Sequence, residues 1–295
     1  MRGELIVYWP PFCSTVRNAM RMFFAATAAS LYVSSATAAP MWIERQFIPT
    51  PELVAPAFAI HSEASDETVD HGKFASFLAR YVRVGADGVA RVAYGGVSTS
   101  DRESLRDYLE ALQAVDPSAL SHDEALAFWL NLYNAATVLA VIDAYPVDSI
   151  RDIDAVWSAR RLTVSGVRLS LADIEHNIVR AAFPDPRAHY ALNCASIGCP
   201  NLAPVPYAGE RLDAQLDAAA RDYVNHPRGV AIDGRKLVVS KIYGWYKDDF
   251  GGDEADIVAH LRQFAEPALS EALDGFDDID GYAYDWSLNG AEPGR

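Results

Sequence analysis

The 295-residue chain reads as an α+β protein: a single compact domain with a long buried central helix, short antiparallel strands in hairpins, and surrounding helices. Three observations predict it. One apolar run, Ala125 to Ala144, is long enough for a helix and apolar on every side, so it must be buried on every side. Three alternating segments are each centred on a turn dipeptide: Asp87-Gly88, Ser165-Gly166 and Asp233-Gly234. The remaining helical patterns lie between these hairpins without regular β-α-β alternation and without internal repeats.

The first 38 residues read as a signal peptide. Arg17 and Arg21 precede an apolar stretch from Met22 to Val33, followed by small residues ending in Ala36-Thr37-Ala38. That is a basic segment, a short apolar segment and a cleavage signal; the apolar segment is too short for a stable membrane span. The expected product is a periplasmic or secreted protein cut near Ala38. Cys13 leaves with the leader, so Cys194 and Cys199 enter a compartment where disulfides persist.

Residues 39–68, rich in Pro, Ala and acid, read as an extended lead-in, and 69–290 as the folded domain. Phe74, Phe77, Leu78 and Tyr81 recur at helical spacing over 71–82. A hairpin over Val84–Tyr94 follows. Ser100 with Glu103 then has the form of a capping box, with Leu105, Tyr108, Leu109 and Leu112 as the buried stripe. Ser121 with Glu124 opens the central helix, which Pro146 stops. Asn131, Asn134 and Thr137, three residues apart, share roughly one side of it. They argue against membrane insertion, and buried amides there need partners: loop backbones crossing the helix, or a site that Asn134 faces. After the hairpin at Leu162–Ser170, Ser170 caps a helix through Arg180. His189–Asn193 reads as a short strand, Tyr207–Val224 as a helix, Val230–Ser240 as the last hairpin and 253–265 as the last helix. Tyr282–Leu288 reads as a closing strand.

Composition narrows function by exclusion. The formal net charge is −15, from 25 basic and 40 acidic residues, which argues against nucleic acid as partner and against anionic lipid. Three cysteines are too few for a disulfide miniprotein or a zinc ribbon. No ligand spacing for a metal is recognised, and no cofactor is implied. The mature chain carries no transmembrane segment by this reading, and its oligomeric state is not legible.

The chemistry-bearing types gather in His189-Tyr-Ala-Leu-Asn193-Cys194-Ala-Ser196-Ile-Gly198-Cys199-Pro200 and in Glu175-His176. A cysteine nucleophile needs a base, a group to orient that base, and donors for an oxyanion. Cys194 fits the first role, His189 or His176 the second, Glu175 or Asp173 the third, and Asn193 or Asn134 the donor. If 189–194 is a regular strand, His189 and Cys194 point to opposite faces, so the two do not form a local dyad unless the strand bulges or ends before Asn193, and His176 stands as an alternative base. The opposing reading is that Cys194 and Cys199 close a small disulfide loop. A thioredoxin-like motif would be Cys-x-x-Cys, and the spacing here is Cys-x4-Cys. Tyr243-Gly-Trp245-Tyr246 is dense enough to wall a cleft or to form a satellite core. Two readings of function stand: a thiol-dependent hydrolase or acyl transferase acting on an envelope peptide or similar amide or ester, and a non-catalytic envelope binding or scaffold module with a Cys194–Cys199 disulfide. A redox carrier or sensor would form a third class.

Five separated motifs carry a resemblance. They are Ala127-Phe-Trp-Leu-Asn131-Leu-Tyr-Asn134, Ser170-Leu-Ala-Asp-Ile-Glu175-His176, and the cysteine segment from His189 to Pro200. Ser240-Lys241-Ile-Tyr-Gly-Trp245-Tyr and Tyr284-Asp285-Trp286 complete the set. In order and spacing they resemble domain of unknown function family 547, found in bacterial exported proteins and fused to plant leucine-zipper proteins. The resemblance implies a shared centre at Asn131, Asn134, Glu175, His176, His189, Cys194 and Cys199, but no agreed activity. Many members have Ser where this chain has Gly198.

Overall fold

The central helix comes first because everything else packs on it. In the computed structural model, which describes residues 40–291, helix α1 spans Met41–Arg45, α2 Gly72–Tyr81, α3 Thr99–Gln113 and α4 His122–Ala144. The Ser121 hydroxyl accepts from the Glu124 amide at the start of α4, and the helix ends before Pro146. Its apolar composition and length would suffice to cross a membrane, yet 83% of that stretch is buried inside the fold. Trp129, Phe128, Leu130, Leu132 and Val141 are fully enclosed in the larger of two apolar clusters. A helix apolar on nearly every side is accommodated this way, by burial on nearly every side. The result is one compact α+β domain.

All three hairpins form. Strand β1 (Val82–Val84) pairs with β2 (Ala90–Val92), β3 (Leu162–Val164) with β4 (Val167–Leu169), and β5 (Val230–Asp233) with β6 (Lys236–Ser240), each antiparallel. The tip residues Gly88, Gly166 and Gly234 have positive φ, as tight turns require. Strand β7 (Gly281–Ala283) joins β6 in parallel, a pairing with no local signal. It is shorter than the closing strand expected over 282–288; beyond it only the isolated bridges at Leu288 and Gly290 continue.

Between β4 and β5 lie α5 (Leu171–Ile174), a π-helical stretch Glu175–Val179, α6 (Arg180–Ala182) and α7 (Leu212–Val224). Ser170 and Asp173 make a reciprocal capping box at α5. After β6 come α8 (Lys241–Trp245), α9 (Glu254–Phe264) and α10 (Pro267–Leu273). The second apolar cluster gathers Tyr190, Tyr223, Tyr243, Phe250, Ile257 and Leu261.

Besides the shortened closing strand, and α10 following the helix expected to be the last, three further expectations change. His189–Asn193 is not a strand: Asp185 caps a 3-10 helix over Pro186–Tyr190, because Pro186 presets its first residue and the Asp185 carboxylate accepts from the Arg187 amide. The cap of α3 is Ser98, which accepts from Asp101, rather than Ser100 with Glu103. The lead-in carries α1 and a 3-10 turn at Pro56–Ala59 and lies against the domain, the Val54 amide donating to the Asn177 carbonyl. The expected signal peptide lies outside the described residues.

Candidate functional site

Three α4 side chains clamp loops that cross it. Glu124 accepts from the amides of Val69 (2.8 Å) and Gly209 (2.7 Å). Asn131 pairs with both backbone groups of Tyr207, donating to its carbonyl (2.8 Å) and accepting from its amide (3.0 Å). Asn134 repeats the arrangement on the cysteine loop, donating to Ala191 O (2.8 Å) and accepting from Asn193 N (2.9 Å). A side-chain amide matches a peptide's donor and acceptor together, so each asparagine supplies a loop with the partners it gave up on leaving water.

Directly before Asn134 on α4, the Tyr133 hydroxyl donates to Glu175 Oε2 (2.8 Å), and the Tyr246 hydroxyl donates to Oε1 (2.5 Å). Burial pushes the Glu175 carboxyl up, but His176 and then the two tyrosine hydroxyls outweigh it and hold it below its ordinary value. Burial likewise keeps both tyrosines protonated, their values raised well above 10. The π-helical stretch packs an extra residue into this turn, and it carries Glu175 and His176 and leads into Arg180.

His176 accepts weakly from Arg180 (3.4 Å), and its burial lowers its proton affinity despite the opposing pull of Glu175. Arg180 forms a forked pair with Asp249, Nε to Oδ2 at 2.5 Å and Nη2 to Oδ1 at 3.0 Å, and donates to Pro49 O. His189 Nε2 meets the same Asp249 Oδ2 at 2.7 Å. Burial raises the Asp249 carboxyl, but the bonds from His189 and Arg180 drive it far below the usual range. The Tyr246 ring stacks on His189 at 4.2 Å and lies 4.9 Å from the Arg180 guanidinium. A cavity of about 210 Å³ opens here, lined by Arg180, His189, Asp249, Phe183, Leu192 and Asp248 among others.

The cysteine loop forms the third part. Cys194 and Cys199 are joined as a disulfide, their Cα atoms 6.2 Å apart. Around the sulfurs stand Tyr284, whose hydroxyl is 3.0 Å from Cys194 Sγ and 3.1 Å from Cys199 Sγ, and Ser196, 3.1 Å from Cys194 Sγ. The main chain of Asp285 passes Gly198 so closely that a Cβ there would stand 2.7 Å from its amide nitrogen. Gly198→Ser should therefore destabilise the protein by about 1–3 kcal/mol, read as a lower urea midpoint, because the obstacle is backbone and cannot rotate away.

The structure thus brings Glu175, His176 and His189 together around Tyr246, and holds Asn134 beneath the cysteine loop. Neither histidine is a hydrogen-bond partner of Cys194; its neighbours are hydroxyls. His189 is oriented by Asp249, sixty positions away, rather than by Glu175 or Asp173. Asp173 serves the Ser170 cap and pairs with Arg160. Sequence reasoning missed Tyr133, Asp249 and Tyr284 as partners, although Tyr133 and Tyr284 lie in motifs quoted above and Asp249 follows the aromatic run directly. Among the described residues, no three His, Cys, Asp or Glu side chains are grouped to hold a metal ion.

Residues 117–224 match the family model described as "Protein of unknown function, DUF547". That segment holds α4, Glu175, His176, His189 and both cysteines, whereas Tyr246, Asp249 and Tyr284 lie beyond it. No curated protein and no solved structure matches the chain.

Proposed function

We propose that the protein is an exported, non-catalytic binding module of the cell envelope. One observation supports this above all: Asn131, Asn134, Glu175 and His189 of the motifs are each engaged with the protein itself, and the two cysteines are bonded to each other. Asn131 and Asn134 hold backbone, Glu175 accepts from two tyrosines, and His189 is held by Asp249. Such a centre is a scaffold that fixes loops. The cavity beside His189 is the place where it presents itself to a small ligand. Export rests on the leader pattern of residues 17–39.

Screening purified protein against envelope peptides and glycan fragments tests the reading. A ligand that binds the native state raises the melting temperature, and the fragment should be recovered unchanged. Recovery of a cleaved or transferred product would overturn it. Intact mass under non-reducing conditions should fall about 2 Da below the dithiol value. Replacing both cysteines with alanine should cost about 2–3 kcal/mol in urea unfolding, since a short closed loop restrains the unfolded chain only modestly.

A thiol-dependent hydrolase or acyl transferase is the second reading. Cys194 favours it, being partly exposed with two hydroxyls at its sulfur while Cys199 is buried. It requires a free Cys194 thiol that alkylates faster in the native protein than in the denatured one.

A further inference from the structure

Beyond binding, we propose that the Cys194–Cys199 disulfide is an exchangeable redox pair, reduced by a dithiol protein that attacks Cys194.

The loop around the bond does not depend on it. Asn193 Nδ2 donates to Pro200 O (2.7 Å) and its Oδ1 accepts from Ala195 N (3.0 Å), spanning the same loop that the disulfide closes. The amides of Ile197 and Gly198 donate to Ser287 O and Asp285 O (both 2.8 Å), and Asn289 N donates to Ala195 O (3.0 Å). Tyr223 donates to Gly198 O (2.6 Å), and Asn134 holds the segment entering the loop at Ala191 and Asn193. Opening the bond therefore leaves the loop backbone held, and the two sulfurs need only move apart by side-chain rotation. A staple serves a loop that would otherwise stray, and this one is pinned on both sides.

The two sulfurs are unequal in the way exchange requires. Cys199 is 3% exposed and Cys194 is partly exposed, so Cys194 is the one an incoming thiolate reaches. The sulfur that must leave is provided for: Cys199 Sγ receives the Cys194 amide (2.9 Å) and the Tyr284 hydroxyl (3.1 Å). Donors aimed at the leaving thiolate lower its cost, and exchange is faster with a better leaving group. Burial, with the neighbouring Tyr223 and Glu175, keeps Tyr284 protonated and available as that donor.

The chemistry balances with a dithiol protein as reductant. Its first thiolate attacks Cys194 Sγ, the Cys194–Cys199 bond breaks, and Cys199 departs as a thiolate. The partner's second thiolate then attacks its own first sulfur, forming the partner's disulfide and releasing Cys194. Two electrons pass from partner to this chain, and the partner's two thiol protons end on Cys194 and Cys199.

The test uses the full mature chain, folded, with a reduced Cys-x-x-Cys protein as probe. The native pair should be reduced as completely as that of the denatured chain, read by alkylation and mass. A probe retaining only its first cysteine, acid-quenched and peptide-mapped, should be found on Cys194. Tyr284→Phe, confirmed as folded by circular dichroism, should exchange about tenfold more slowly, the factor for losing one hydrogen bond to a charged group. A pair that stays oxidised in the native chain while the denatured chain is reduced would overturn the proposal. So would a probe mapped to Cys199, or a Tyr284→Phe rate equal to wild type.

Discussion

Asp249→Ala should destabilise the protein by about 3–5 kcal/mol, the cost of leaving a buried charge without its partner. The Arg180 side chain is only 6% exposed and its guanidinium makes a forked pair with this one carboxylate. His189, 4% exposed at its side chain, bonds to the same oxygen. Removing the carboxylate strands both. Urea unfolding read against Asp248→Ala checks it: Asp248 is 77% exposed in its pair with Arg45, and its loss should cost at most about 1 kcal/mol. The pH dependence has a definite sign. Asp249 titrates lower folded than unfolded, so its contribution is complete above the ordinary aspartate value of about 4 and drains away as pH falls below it. Asp249→Ala should flatten that acid limb; a limb of unchanged steepness would mean the carboxylate is not the group being protonated.

Asn134→Ala should cost about 2–6 kcal/mol, since two buried backbone groups, Ala191 O and Asn193 N, lose their partners at about 1–3 kcal/mol each. The effect should be local before it is global. Hydrogen exchange at the Asn193 amide should accelerate more than at amides of α2 or α9, which Asn134 does not touch. Asn134→Asp separates the two bonds, keeping an acceptor for Asn193 while losing the donor to Ala191. If Asn134→Ala unfolds at the wild-type urea midpoint, the amide is not the anchor described here.

Much of the fold was legible because it follows from short-range rules. The Ser121 cap, the stop before Pro146 and the turn glycines at 88, 166 and 234 are each decided by a few neighbouring residues. The amphipathic spacing of Phe74, Phe77, Leu78 and Tyr81 placed α2 on the core correctly. The 189–193 segment misled because the short apolar run Tyr190-Ala191-Leu192 between polar residues reads as a strand, while Asp185 and Pro186, just upstream, commit the chain to a 3-10 turn. The parallel β6–β7 pairing had no local signature at all. Within the site, residue types were readable and partners were not: His189 and Glu175 stood out, but Asp249, Tyr133 and Tyr246 are brought to them from 60, 42 and 71 positions away.

Read alone, the order of residues determined a leader pattern, an apolar rod with amides along one side, three hairpins, and a cysteine pair near two histidines. Folding alone decided that those amides grip passing backbone, that the carboxylate orienting His189 is Asp249, and that the sulfurs lie beneath a tyrosine hydroxyl. The division has one cause. Helix, turn and cap preferences are set within a few residues along the chain, whereas the partner of a buried polar group is whatever the packed core carries to it from far away.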